Sequence, residues 1–149
     1  YALIPVLRPA KVSSVCRWLS PEQLIDALRH SADARQAILG AAKVQERIFG
    51  LFAEHAADIG PLLDDPQRVA CFMHSAENRA AMVADAGLGR ALKEAISAAG
   101  ASAYDQVFDC GDDTIIKAVM ELFSATELEV ISEAGSAAVK ANLERLSEQ

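Results

Sequence analysis

The chain is poor in aromatic residues, in β-branched runs and in cysteine. Aromatics make up 5% of its 149 residues, as one Trp, two Tyr and five Phe. Thr114-Ile115-Ile116 is the best β-branched run it offers. Strands draw on these residue types, so the composition argues against a β-sandwich. The three cysteines, Cys16, Cys71 and Cys110, are odd in number and contain no CxxC pair. That fits free thiols in a reducing compartment, expected to be the cytoplasm. No apolar run approaches the ~20 residues a membrane span requires. Ala2–Leu7 is too short for a signal peptide and runs at once into Arg8-Pro9. No HExxH, GxSxG or paired-Cys zinc pattern occurs, and Gly87-Leu88-Gly89 lacks the third Gly and the preceding strand of a phosphate loop. The chain opens on Tyr1 instead of Met, as a piece of a longer protein would, and such a parent chain could be secreted.

What is abundant is alanine, at 29 residues by count. Alanine has the highest helix propensity and little bulk, so the expectation is closely packed short helices. The net charge is −7 and unevenly spread. Residues 1–47 hold seven Lys and Arg against four acids, whereas residues 48–149 hold seven against 17. An acidic body repels phosphate backbones and makes nucleic acid an unfavourable partner. The basic start is read as facing the acidic body, or else an acidic partner.

Residues 1–11 read as a lead-in, extended or a short broken helix, followed by a brief helix over Val12–Leu19 with Trp18 capping the end of the core. Ser20-Pro21-Glu22-Gln23 is a helix start, with Ser20 as cap, Pro21 in the first turn and Gln23 as capping-box partner. A second helix follows from Asp33, and a third carries Ile48, Phe49, Leu51 and Phe52. Asp58-Ile59-Gly60-Pro61 closes this first unit. Asp65-Pro66-Gln67 repeats the cap-and-proline start, with Asp65 as the capping residue. Gly87 and Gly89 mark a turn ahead of a helix through Leu88, Leu92 and Ile96. Asp109-Cys110-Gly111-Asp112-Asp113 is a polar loop. Ser124-Ala125-Thr126-Glu127 is a further capping box, and a final polar helix over Ala137–Leu146 frays towards Gln149.

The self-similarity of the chain is its clearest signal. His30-Ser31-Ala32-Asp33-Ala34-Arg35 returns 44 positions later as His74-Ser75-Ala76-Glu77-Asn78-Arg79. At the same offset Val44, Ile48 and Phe52 fall on Leu88, Leu92 and Ile96. A third, weaker copy follows at an offset of 35. Ala34–Ile59, Asn78–Ala103 and Asp113–Ala138 share a short helix, a turn, a second helix and a small-residue stop. This pattern resembles the helix-turn-helix core of ankyrin repeats, most clearly in Ala91-Leu92-Lys93-Glu94-Ala95-Ile96-Ser97-Ala98-Ala99-Gly100-Ala101. Thr114 and Gly135 stand at the spacing of that family's opening Thr and closing Gly, while its Thr-Pro-Leu-His signature is absent. The resemblance implies a protein-binding solenoid without catalysis. Leu19-Ser20-Pro21-Glu22-Gln23-Leu24 and Phe123-Ser124-Ala125-Thr126-Glu127-Leu128 in turn look like the openings of bacterial TAL-type DNA-binding repeats, whose implied partner the acidic balance disfavours.

Several residues are candidates for chemistry. His30 and His74 could ligate a metal or move protons, but a residue repeated with its surroundings more often ends a helix, where imidazole meets helix carbonyls. Arg35 and Arg79 could hold an anionic partner, or lie on a solvated face and pair with neighbouring acids. Cys71 and Cys16 sit in apolar surroundings and read as buried structural thiols. Asp109, Asp112 and Asp113 could gather a hard cation, or form a solvated turn in which Asp112 or Asp113 caps the next helix. The resulting expectation is one all-α domain of seven to nine short helices over residues 1–149, with units at 19–62, 63–107 and 108–146. These form irregular stacked helical-hairpin repeats, ankyrin-like or another α-solenoid, with a compact helical bundle as the alternative. The expected function is protein–protein interaction through a helical-repeat surface, with His30, Arg35, His74, Arg79, Asp109, Asp112 and Asp113 as contact residues and no catalytic residue, metal or cofactor. A structural adaptor bundle, a TAL-like DNA-binding domain and an unrecognised enzyme are the alternatives.

Overall fold

The computed structural model describes Ile4 and residues 7–148, and among these every regular element is helical. Twelve short α-helices follow one another, more than the seven to nine expected. The excess arises where small and polar residues stop one helix and start the next within a residue or two. The chain divides into two compact units, residues 1–63 and 64–149.

The first unit holds α1 (Pro9–Cys16), α2 (Pro21–His30), α3 (Ala32–Gly40), α4 (Ala42–Leu51) and α5 (Ala56–Ile59). Part of the expected lead-in, residues 1–3, 5 and 6, lies outside the described residues; from Pro9 onwards the chain is helical. The helix expected over Val12–Leu19 therefore starts earlier and stops at Cys16, which leaves Trp18 beyond its end and 78% exposed. Trp18 does not cap the core. Ser20 and Gln23 form the expected capping box: the Gln23 amide donates to Ser20 Oγ at 3.2 Å, and the Ser20 amide to Gln23 Oε1 at 2.9 Å. Leu24, Ile25 and Leu28 of α2 are buried with Ile38 and Leu39 of α3 and Val44, Ile48 and Phe49 of α4. α3 packs on α1, α2 and α4. Arg47 then ties α4 to the end of α1, donating to the carbonyls of Cys16 at 2.7 Å and Leu19 at 2.6 Å. Asp58 and Ile59 continue as the short α5 before the 3-10 turn Gly60–Leu62, so the breaker acts two residues later than the sequence suggests.

The second unit holds α6 (Asp65–His74), α7 (Ala76–Ala84), α8 (Ala86–Ala99), α9 (Ala101–Phe108), α10 (Asp113–Met120), α11 (Ala125–Ala134) and α12 (Ala137–Ser147). The cap of α6 is Asp64, not Asp65; its carboxylate accepts from the Gln67 amide at 2.9 Å. Asp65 is already helical, with Pro66 tolerated in the first turn, where no amide hydrogen is needed. Gly87 and Gly89 lie inside α8, not in a turn, because Asp85 caps that helix from its own start. A side chain at Gly89 would place its Cβ 3.3 Å from Leu122, so the glycine permits close packing there. The true stop is Gly100, whose φ of 68° suits a residue without Cβ. α6 lies against α7 and α8, and α9 against α8, α10, α11 and α12. The last helix buries Val139, Leu143 and Leu146, and Asn142 donates to the carbonyl of Phe108 at 2.9 Å at the end of α9.

Two glycines should respond oppositely to alanine. At Gly135 a Cβ would sit 2.8 Å from Val139 Cγ1, on a fully buried side chain. Gly135→Ala should cost about 1–3 kcal/mol of unfolding free energy. Gly50 lies in α4 with open space around it, so Gly50→Ala should add about 0.5–1 kcal/mol. Urea unfolding of both variants checks the pair.

Candidate functional site

The two His-Ser-Ala stretches are helix joints. His30 is the last residue of α2 and His74 the last of α6. Ser31 and Ser75 follow with nearly the same backbone, φ −162° and ψ 162° against φ −156° and ψ 160°. Each hydroxyl accepts an amide three residues on, from Ala34 at 3.0 Å and from Asn78 at 3.1 Å. Helix bounds repeat with the residues: α2 and α6, and α3 and α7, coincide at an offset of 44, and α4 and α8 start together at it. His30 belongs to the first unit and His74 to the second.

Arg79 turns back to the carbonyls of Phe72 and Met73, 3.4 Å away in both cases, at the end of α6. It does not pair with neighbouring acids among the described residues. Arg35 is half-buried on α3 and forms no ion pair with them either. Asp112 caps α10, accepting from the amides of Thr114 at 2.9 Å and Ile115 at 3.4 Å. Asp113 begins that helix and takes both guanidinium nitrogens of Arg145, at 2.8 and 2.9 Å. That bond to Arg145 holds the Asp113 carboxyl below the usual carboxylate range. Asp109 is exposed at the end of α9. Asp112 and Asp113 therefore have separate partners, and no group of three or more His, Cys, Asp or Glu converges on a metal-sized site among the described residues. Arg79 and Asp112 both line one apolar cleft of about 440 Å³ between α7 and α10, with Val83 and Ile115.

Sequence reasoning missed a second cavity. In the first unit α1 and α4 enclose an open groove of about 470 Å³. Ala10, Ser13, Ser14 and Arg17 line one side, and Lys43, Val44 and Arg47 the other. Arg17 lies over the Trp18 ring, 5.1 Å from its centroid. Val15 on the same helix is 42% exposed. None of Arg17, Lys43 and Arg47 forms an ion pair among the described residues. The available signal was the basic bias of residues 1–47, but the pairing of α1 with α4 depends on tertiary contacts that no local pattern encodes.

The thiols divide by burial. Cys71 is fully buried, and burial pushes its thiol up to about 12, with the Asn78 amide at 3.5 Å from Sγ opposing the shift. Burial also raises Cys16, against the charge of Arg47. Cys110, in the loop before α10, is half-exposed.

No protein-family model, curated protein or solved structure matches the chain. No helix among the described residues is long and apolar enough to cross a membrane.

At neutral pH, iodoacetamide should alkylate Cys110 in the native protein and reach Cys16 and Cys71 only on unfolding; mass spectrometry of time points reads this order. A second test concerns Glu127, which accepts from Lys93 Nζ at 2.8 Å and from the Ser124 amide at 2.9 Å. These bonds, Lys93 first, hold its carboxyl at about 2. A carboxyl with a depressed folded pKa stabilises the fold above its unfolded pKa and loses that contribution as pH falls through the folded one. Glu127→Gln keeps an oxygen for Ser124 and removes the charge. Between pH 4.5 and about 2, the thermal midpoint of the wild type should therefore fall more steeply than that of the variant.

Proposed function

We propose that this chain is a protein-interaction module, built of irregular helical-hairpin repeats, that docks a partner on a helical surface without catalysis. The observation that carries the reading is the placement of the sole tryptophan. Trp18 stands 78% exposed just past α1, its ring under the guanidinium of Arg17, which lines the groove between α1 and α4. Leaving a large apolar ring in water forgoes roughly 1.5–3 kcal/mol of burial. Tryptophan and arginine together are also the residues most enriched at the centres of protein interfaces. Arg17 stacked on Trp18 offers both at one point. The repeat part of the reading is supported by helix bounds and caps that recur 44 positions apart. Stacked helical units expose extended surfaces suited to such docking.

The test is a photo-crosslinking amino acid at position 18, in the full chain and in the cells from which it comes, with exposed Glu133 of α11 as the control position. A discrete protein adduct from position 18 and none from position 133 is the expected result. Adducts from both in equal yield, or from neither, would overturn the reading.

A further inference from the structure

We infer that the groove between α1 and α4 receives an acidic segment of the partner protein, its carboxylates beside Arg17 and Lys43 and an apolar side chain against Trp18. This rests on the interaction reading and names the chemistry of the partner. Three cations, Arg17, Lys43 and Arg47, line the groove and no acid does. Their charges meet no carboxylate among the described residues. They differ in what they have left to give. Arg47 spends both terminal nitrogens on the carbonyls of Cys16 and Leu19, so it contributes positive potential but no free fork. Lys43 makes no side-chain hydrogen bond or ion pair among the described residues, and its ammonium keeps three donors to offer. The Arg17 guanidinium lies over Trp18 with its edge open to an acceptor.

Charge complementarity selects the occupant. The groove lies in the stretch of chain where bases exceed acids, seven to four over residues 1–47. A nucleic acid strand would bring a dense row of phosphates, about one charge per 1.7 Å of duplex, towards a chain of net charge −7. Two available cations cannot match that density. An acidic peptide carries fewer charges and places apolar side chains between them, one of which can meet the exposed Trp18 ring stacked on Arg17.

Trp18 is the only tryptophan and touches the groove through Arg17, which lies over its ring, so its emission reports an occupant that engages Arg17. The full chain is titrated with a synthetic peptide alternating Glu and Leu, with its Gln-for-Glu counterpart, with single-stranded oligothymidylate, and with phosphatidylserine vesicles. The expected result is a saturable blue shift with the Glu peptide that weakens as salt is raised. Lys43→Glu and Arg17→Glu should each weaken binding roughly tenfold. Both residues are solvent-accessible, and an unchanged thermal midpoint confirms folding. Equal binding of the Gln peptide, indifference to Lys43→Glu in the folded variant, or a stronger response to the oligonucleotide or the vesicles would each overturn the proposal. No shift with the Glu peptide while position 18 still cross-links a protein overturns the acidic occupant alone. Failure of both removes the interaction reading as well.

Discussion

Every helix leaves four amides and four carbonyls without an intrahelical partner, and a chain of short helices multiplies that debt. The fold depends on how it is met. At the amino ends, eight helices have a side-chain cap: Ser20, Ser31, Asp64, Ser75, Asp85, Asp112, Ser124 and Ser136. At the carboxyl ends, donors arrive from elsewhere in the same unit. Arg47 serves α1, Gln45 the Leu39 carbonyl of α3, Arg79 α6, and Asn142 α9. These side chains close the ends of elements and dock one element on another in the same bond. Residues that look available for binding are consequently committed to structure, Arg79 and Asp112 above all.

This explains which features could be read from sequence. An amino-terminal cap is local: Ser20 with Gln23, or Ser124 with Glu127, lies within one turn of what it satisfies. The joints at His30-Ser31 and His74-Ser75 were visible for the same reason, strengthened by repetition. Even here the frame slipped by a residue at Asp64, since two adjacent aspartates offer the same chemistry and only the backbone decides between them. The carboxyl-terminal donors could not be read. Asn142 lies 34 positions from the carbonyl of Phe108, and Arg47 lies 31 from that of Cys16. The glycines misled in the other direction. Gly87 and Gly89 suggest a turn by composition, but Asp85 has already started the helix and Leu122 needs the space.

The two copies at an offset of 44 show how far a shared pattern determines packing. Ile25, Ala27 and Leu28 are buried in α2, and their counterparts Val69, Cys71 and Phe72 are buried in α6. Ala34 is buried in α3, and at its place α7 carries Asn78, 1% exposed. A buried amide left without a partner would be costly. Asn78 instead donates to the Cys71 carbonyl at 3.1 Å and approaches its sulfur. An apolar Ala–Ala pair in one copy is thus a hydrogen-bonded Cys–Asn pair in the other. The third helices diverge more. α8 approaches α6 closely, whereas α4 does not approach α2 to a comparable extent. Gly89, Ala91 and Ala95 on α8 stand where α4 has Gln45, Arg47 and Leu51, and smaller side chains allow shorter distances between helix axes. The same caps and burial stripe accommodate two different packings.

Arg47 is the residue in which this divergence shapes the groove. Its counterpart Ala91 has no reach, and α8 meets its neighbours through small side chains. Arg47 extends from α4 to the end of α1 and holds Cys16 and Leu19 by their carbonyls, which ties the segment just past α1 to α4. A helix that stops at Cys16 leaves Arg17 and Trp18 beyond it, stacked on one another, with Arg17 on the lining of the groove. The bonds that close one helix end therefore also hold the segment in which the exposed Trp18 meets Arg17, a cation that pairs with no carboxylate among the described residues.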